Sequence, residues 1–272
     1  MRVVHLNCGA ASHVGLVRSA NQDAYLASSP VFVVADGMGG HQGGEVASAI
    51  VVEEFARLVA DGFDATDGIG AVARVLAIAQ ERIAKHVVEQ QADGTGYYAG
   101  TTVAAALLCA DQEGPKWLLA NLGDSRIYKV HQGRFEQVSV DHSVVQELVE
   151  SGTIDAAAAA THPERHVITR ALSAAGRTDP DYFLLPLASA ERLLICSDGV
   201  SGMVDGDTLG ALIREVPDPR DAAEAVVAAA LRGGGEDNAT AIVVDVVGWS
   251  ESDSQARRSE PVSLEEKLGA LP

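Results

Sequence analysis

The chain has 272 residues, 47% of them hydrophobic but only 4% aromatic, so it has the length for one large domain or two small ones and a core built mainly of Ala, Val, Leu and Ile. Lys and Arg number 20 against 38 Asp and Glu, and the net charge of -18 excludes a surface made to grip nucleic acid or anionic lipid, since both need a cationic face. The three separated cysteines (Cys8, Cys109, Cys196) make no disulfide framework, no apolar run is long enough to span a bilayer, and the first residues are too few and too polar for a signal peptide, so a soluble, cytoplasmic protein is expected.

Residues 30–35 are a short apolar run ending in Asp36-Gly37 and predict a buried strand. After a Gly-rich turn, Ala47, Val51, Phe55, Leu58 and Val59 recur at helical spacing, with Glu53, Glu54, Arg57 and Asp61 opposite, which predicts an amphipathic helix over 44–61. A second helix is predicted over 68–91, with Ile69, Val72, Leu76, Ala79, Ile83 and Val87 on one face. Strand patterns follow at 101–109, 116–121, 125–130 and 135–140, separated by turn residues, and their spacing suggests one antiparallel meander. Residues 142–181 carry a short helical stretch (143–150) and a poly-Ala run (156–160), and read as an excursion from the sheet. Strand signals return at 192–196 and 239–247, with a helix over 219–231 between them, opened by Asp218-Pro219. Beyond 248 the pattern is lost; Ser263-Leu-Glu-Glu266 fits a capping box in an otherwise loose tail without a membrane anchor. The order is not strict β-α-β alternation, which favours an α+β sandwich with helices outside.

The chemistry is concentrated where apolar strands meet acids. Val33-Val34-Ala35 runs into Asp36-Gly37, Leu118–Leu122 into Gly123-Asp124, and Leu193–Ser197 into Asp198-Gly199, while Glu236-Asp237-Asn238 precedes the last strand. One Asp-Gly is a common turn signal. Four acids at the tips of buried strands are not explained by turns, and if those tips meet at one edge their charges need cations. Hard oxygen donors without Cys or His suit Mg²⁺ or Mn²⁺ rather than zinc. The His162-x-x-x-His166 spacing is a rival zinc signal, but Pro163 interrupts it. No phosphate-binding P-loop or G-x-S-x-G elbow is present.

Arg18-Ser-Ala-Asn21-Gln22-Asp23, Val34-Ala-Asp36-Gly-Met-Gly-Gly-His41, Gly100-Thr-Thr102, Gly123-Asp-Ser-Arg126, Ser197-Asp-Gly199 and Glu236-Asp-Asn-Ala-Thr240 occur in that order. This series resembles the metal-dependent PP2C-type (PPM) protein serine/threonine phosphatases, in their bacterial form, over about residues 8–247. The resemblance implies a four-layer αββα sandwich, two central antiparallel sheets flanked by helices, with a phosphatase domain over 1–248, a flap over about 141–181 and a tail over 249–272. It implies two core Mn²⁺ or Mg²⁺ ions, with Asp36 bridging, the Gly37 carbonyl on one ion, and Asp198 and Asp237 completing the other. Asp124 and Asp198 would hold a weaker third ion, and Arg18 would hold the substrate phosphate. The reaction implied is hydrolysis of phosphoserine and phosphothreonine in proteins by a metal-bridging hydroxide, without a phosphoenzyme, in a monomer that opposes bacterial serine/threonine kinases. Gln22 stands where many members have Glu. Met38 stands where eukaryotic members have a histidine, which leaves His41 or water as general acid. Gly202 stands where many relatives have Asn or Asp, which implies a ligand-poor third site. A silent phosphoprotein-binding regulator would lack metal aspartates, and none is missing; a small-phosphoester hydrolase remains open.

Overall fold

A computed structural model describes residues 2–39, 43–90, 97–176 and 179–251. In chain order, β1 (Arg2–His13), β2 (Asp23–Ser28) and β3 (Val31–Met38) lead into α1 (Gly43–Ala60) and α2 (Gly68–Gln90). Then come β4 (Gly100–Thr101), β5 (Val103–Asp111), β6 (Gly114–Leu122), β7 (Arg126–His131) and β8 (Arg134–Gln137). The excursion holds α3 (Val144–Glu150), α4 (Ala156–Ala160) and β9 (Leu172–Ser173), and returns through β10 (Asp181–Pro186). The chain continues through β11 (Arg192–Cys196), α5 (Asp198–Ser201), α6 (Gly206–Glu215), α7 (Pro219–Arg232) and β12 (Ala239–Glu251).

The strands form two antiparallel sheets. One has the order β1-β12-β11-β7-β8; the other has the order β10-β6-β5-β3-β4-β9, with β2 also paired to β3. Period-two alternation explains the layering. In β3, Val31, Val33 and Ala35 face an outer core with α1 and α2, while Phe32 and Val34 face the space between the sheets. In β11, Leu194 and Cys196 face a second outer core with α6 and α7, while Leu193 and Ile195 point inward. Three apolar layers between four structural layers give the expected αββα sandwich. Because the central strands are buried on both faces, they read as continuous apolar runs although they are antiparallel.

Helix starts follow their caps. Asp218 accepts from the Arg220 N–H at 2.8 Å ahead of Pro219, Asp205 accepts from the Thr208 N–H at 2.9 Å, and Ser143 accepts from the Gln146 N–H at 3.3 Å. The single meander is corrected. β5 and β6 belong to one sheet and β7 and β8 to the other, so the chain crosses between sheets at Gly123–Ser125. The strand predicted over 135–140 ends at Gln137. β1, β2, β10 and α6 are additions, and β12 runs on to Glu251, past the expected boundary at 248. The remaining tail, with its capping box, lies outside the described residues. Among the described residues no helix is long and apolar enough to cross a membrane.

β1 lies directly on α7. A Cβ on Gly9 would fall 2.2 Å from the Arg220 Cα, whereas one on Gly206 would meet nothing within 4 Å. Gly9→Ala therefore forces backbone apart and should cost roughly 1–3 kcal/mol, which at this size lowers Tm by roughly 2–12 °C. Gly206→Ala is the control and should melt within 1–2 °C of the parent, since exposed substitutions usually stay within ~0.5 kcal/mol. Equal melting of the two variants would refute the close-packing account.

Candidate active site

All six residues singled out in the sequence meet at one end of the sandwich. Arg18, Asp36, Gly37, Asp124, Asp198 and Asp237 line a single cleft of about 630 Å³. Each aspartate is fixed by the end of a buried strand. Asp36 lies within β3, Asp124 at the crossing from β6 to β7, Asp198 at the start of α5 directly after β11, and Asp237 just before β12.

Hydrogen bonds to the backbone hold this end rigid. The Asp36 N–H donates to Thr102 Oγ1 at 3.0 Å and the Thr102 N–H donates back to the Asp36 carbonyl at 2.9 Å. Thr102 Oγ1 also lies 2.7 Å from Ser125 Oγ, which ties the Asp36 strand to the turn bearing Asp124. On the other side, Asn238 (5% exposed) donates to the carbonyls of Val14 and Ala20, each at 2.9 Å, and accepts from the Gln22 N–H at 2.8 Å. The loop carrying Arg18 is thus pinned to the residue after Asp237. Gly37 must be glycine for space: a Cβ there would lie 2.2 Å from the Gly44 carbonyl oxygen.

The electrostatics are dominated by burial and like charge. Burial lifts Asp36 well above the usual carboxylate range, and the charges of Asp23, Asp198 and Asp124 add to it. Asp36 and Asp198 share a side-chain hydrogen bond; Asp198 is raised by burial, with that bond opposing and Asp237 adding. Burial pushes Asp124 up to about 7, helped by Asp198 and Asp141. Asp237 is bound by Arg18, with Nη2 to Oδ2 at 2.7 Å, and the arginine side chain is 54% exposed.

The sequence reading passed over Asp23 as a site residue. It pairs directly with Asp36 in the β2–β3 register and accepts from Ser197 Oγ at 2.8 Å, while its Oδ1 is buried with no hydrogen-bond partner. Burial pushes it up to about 6, against the Ser197 and Thr240 hydrogen bonds. Its place two residues after Asn21 in the quoted motif was the available signal. Arg165 and His166 from the excursion also line the cleft. The zinc spacing fails: α4 ends at Ala160, and His162 sits in a turn whose Nδ1 accepts the Glu164 N–H at 3.2 Å. His41 lies outside the described residues.

Among the described residues no three His, Cys, Asp or Glu side chains stand ready as a metal-ligating set. The carboxylates bond to each other and to Arg18 instead. The donor set nevertheless fits hard divalent cations: desolvated, mutually repelling oxygens, one of them orphaned on Asp23.

Residues 13–233 match the protein phosphatase 2C family. The chain belongs to that family. It is 35% identical over 271 residues to the serine/threonine protein phosphatase PstP of Mycobacterium tuberculosis, covering 98% of this chain and 50% of that protein. The chain therefore spans half the length of these mycobacterial relatives. It is 33% identical over 224 residues to the serine/threonine phosphatase stp of Listeria monocytogenes, covering 80% of this chain and 85% of that one. Among solved structures, the catalytic domain of PstP in complex with two manganese ions superposes with a TM-score of 0.77 at 33% identity, over 89% of this chain and 99% of that one.

For this PP2C-family chain the raised carboxyls make a pH prediction. Each raised carboxyl holds more proton in the folded state than in the unfolded one between the free aspartate value of about 4 and its raised value, so its contribution to stability falls as pH rises through that window, whereas the lowered Asp64, Asp111, Asp181 and Asp205 oppose it only near the acid end. In chelator, Tm should drop from about pH 5 to about pH 7. Mn²⁺ should flatten the slope, and Asp36→Asn should reduce it. A chelated protein whose Tm rises across the same window would show that the cluster is not repulsive.

Proposed function

We propose that this chain is a metal-dependent phosphatase that hydrolyses phosphoserine and phosphothreonine in proteins. One observation carries the reading: the six residues of the family pattern line one cleft, with desolvated carboxylates facing a half-exposed arginine. Asp36, the Gly37 carbonyl, Asp198 and Asp237 would hold two Mn²⁺ or Mg²⁺ ions, and Asp124 with Asp198 a weaker third. Such ions lower the pKa of bound water and offset charge on phosphoryl oxygens.

The chain's own residues do the rest. Arg18 spends Nη2 on Asp237 and keeps the remainder of its guanidinium at the cleft, where paired donors suit phosphate oxygens. Asn238 and Thr102 fix the backbone on either side, so the acids do not move apart under their repulsion. Met38 cannot pass a proton, and water or His41 is the source of the leaving-group proton that the family pattern leaves open. The acidic surface argues against nucleic acid and membrane partners. The substrates we assign are phosphoproteins made by bacterial serine/threonine kinases, met by a cytoplasmic monomer.

Phosphate release from a phosphothreonine peptide, with Mn²⁺ and after chelation, tests the reading. Asp36→Asn and Asp237→Asn should each lose at least ~10³-fold in turnover, about 4 kcal/mol of transition-state stabilisation, with unchanged circular dichroism. Near-normal turnover in either folded variant removes the ligand assignment. Release from small phosphoesters alone would move the substrate class, and binding without release would favour a regulator.

Arg18→Ala separates phosphate holding from metal holding. KM should rise and inhibition by free phosphate weaken by roughly 1.5–3 kcal/mol, the value of a hydrogen bond to a charged group. Calorimetry should find the Mn²⁺ stoichiometry unchanged. Unaltered phosphate inhibition would make Arg18 an ordinary surface arginine.

A further inference from the structure

His142 belongs to none of the chemistry above, yet it is only 6% exposed and every polar atom of it is engaged. Its backbone N–H donates to the Gly123 carbonyl at 2.9 Å, and its ring Nδ1 accepts the Gly123 N–H at 3.0 Å. Gly123 is therefore held on both sides by one residue, immediately before Asp124. The other face of the ring reaches the far end of the excursion: Nε2 lies 3.0 Å from Asp181 Oδ2. Arg170 Nη1 sits 2.9 Å from Asp181 Oδ1 and 2.8 Å from Nε2, and the Thr169 N–H donates to the His142 carbonyl at 2.8 Å. Residues 142, 169–170 and 181 thus converge on the turn that carries Asp124.

We propose that His142 is a positioning residue for Asp124, a clasp that joins both ends of the 142–181 excursion to the Gly123–Asp124 turn, with Asp181 choosing its tautomer. The choice follows from donors and acceptors. Because Nδ1 accepts the amide proton, the ring proton sits on Nε2 and is donated to Asp181; Arg170 Nη1 donates to Asp181 Oδ1, and its 2.8 Å approach to Nε2 is then a contact between two donors that the shared carboxylate holds in place. Arg170 can only donate, so without the Asp181 carboxylate it would claim Nε2 as an acceptor and drive the proton to Nδ1. An Nδ1–H faces the Gly123 N–H donor to donor and releases the turn. Gly123 has φ +107°, and a Cβ there would meet Thr102, so the turn has one seat and depends on its anchor. Motion of the excursion, which lines the cleft through Arg165 and His166, would reach Asp124 through this ring. The proposal rests on the phosphatase reading only for the use made of Asp124.

Full-length variants test it, because Asn mimics the Nδ1 position of histidine and Gln the Nε2 position. By amide hydrogen exchange, Gly123 should exchange at least tenfold faster in His142→Gln and within about threefold of wild type in His142→Asn. Turnover at saturating Mn²⁺ should fall at least tenfold in His142→Gln, with KM for a small aryl phosphate within about twofold. Asp181 is a half-exposed residue whose loss leaves the core intact, so Asp181→Ala serves if His142→Gln does not fold. Nitrogen chemical shifts of His142 should then move from the Nε2–H to the Nδ1–H pattern, and Gly123 exchange should rise at least threefold. The same Gly123 protection in His142→Gln and His142→Asn, or an unshifted tautomer with unchanged Gly123 exchange in Asp181→Ala, overturns the clasp. Absence of phosphatase activity in the wild type overturns the function instead; Mn²⁺ stoichiometry by calorimetry then replaces turnover, with His142→Gln expected to lose the Asp124-dependent ion and His142→Asn to keep it.

Discussion

Mutual repulsion among half-buried, desolvated carboxylates is the constraint on which this architecture turns. Asp23, Asp36, Asp124 and Asp198 are brought to one edge of two packed sheets, where burial raises each of them and the charge of at least one neighbouring carboxylate adds to it. An isolated loop would relieve such a cluster by spreading. Here Asp36, Asp124 and Asp198 are mounted at the ends of strands with both faces in apolar cores, and spreading would break those cores. The fold stores an unfavourable charge arrangement of the kind that a bound divalent cation would relieve.

The small-residue composition serves the same end. With few aromatics, the central layers interdigitate Ala, Val, Leu and Ile, and sheets and helices approach closely enough for Gly37 to touch the Gly44 backbone. Close approach lets a backbone carbonyl stand beside the acids. Polar contacts are then few and specific. Thr102 spans β3 and the Gly123 crossing, and Asn238 spans the first loop and the last strand.

Much of this was legible in the sequence. Apolar strands meeting acids pointed to Asp36, Asp124, Asp198 and Asp237, and the resemblance added Arg18 and Gly37; the structure places all six along one cleft. The sandwich followed from the resemblance and from element order. Other features had no local signal. β1 alternates Val4, Leu6, Cys8 and Ala10 with polar or tiny residues, too weak a pattern to separate from a loop. The meander reading failed because turn chemistry at Gly123 looks alike whether the chain stays in its sheet or crosses to the next. Asp23 opens a strand with no apolar run before it, and His142 acquires its role only when Asp181, 39 positions away, is brought to its ring.

The pairing of β1 with β12 has a consequence for how the molecule is made. Among the described residues β1 pairs with β12 alone, with Cys8 opposite Val244. At roughly 5–20 residues per second, β1 waits on the order of ten seconds or more on the ribosome with its edge unpaired. Asp237 enters with β12, so the acidic cluster is completed only after the other strands of both sheets have been made. Nascent chains halted before β12 would expose the long edges of β1 and β11 together, which makes them natural clients of chaperones and of the proteases that clear unfinished protein.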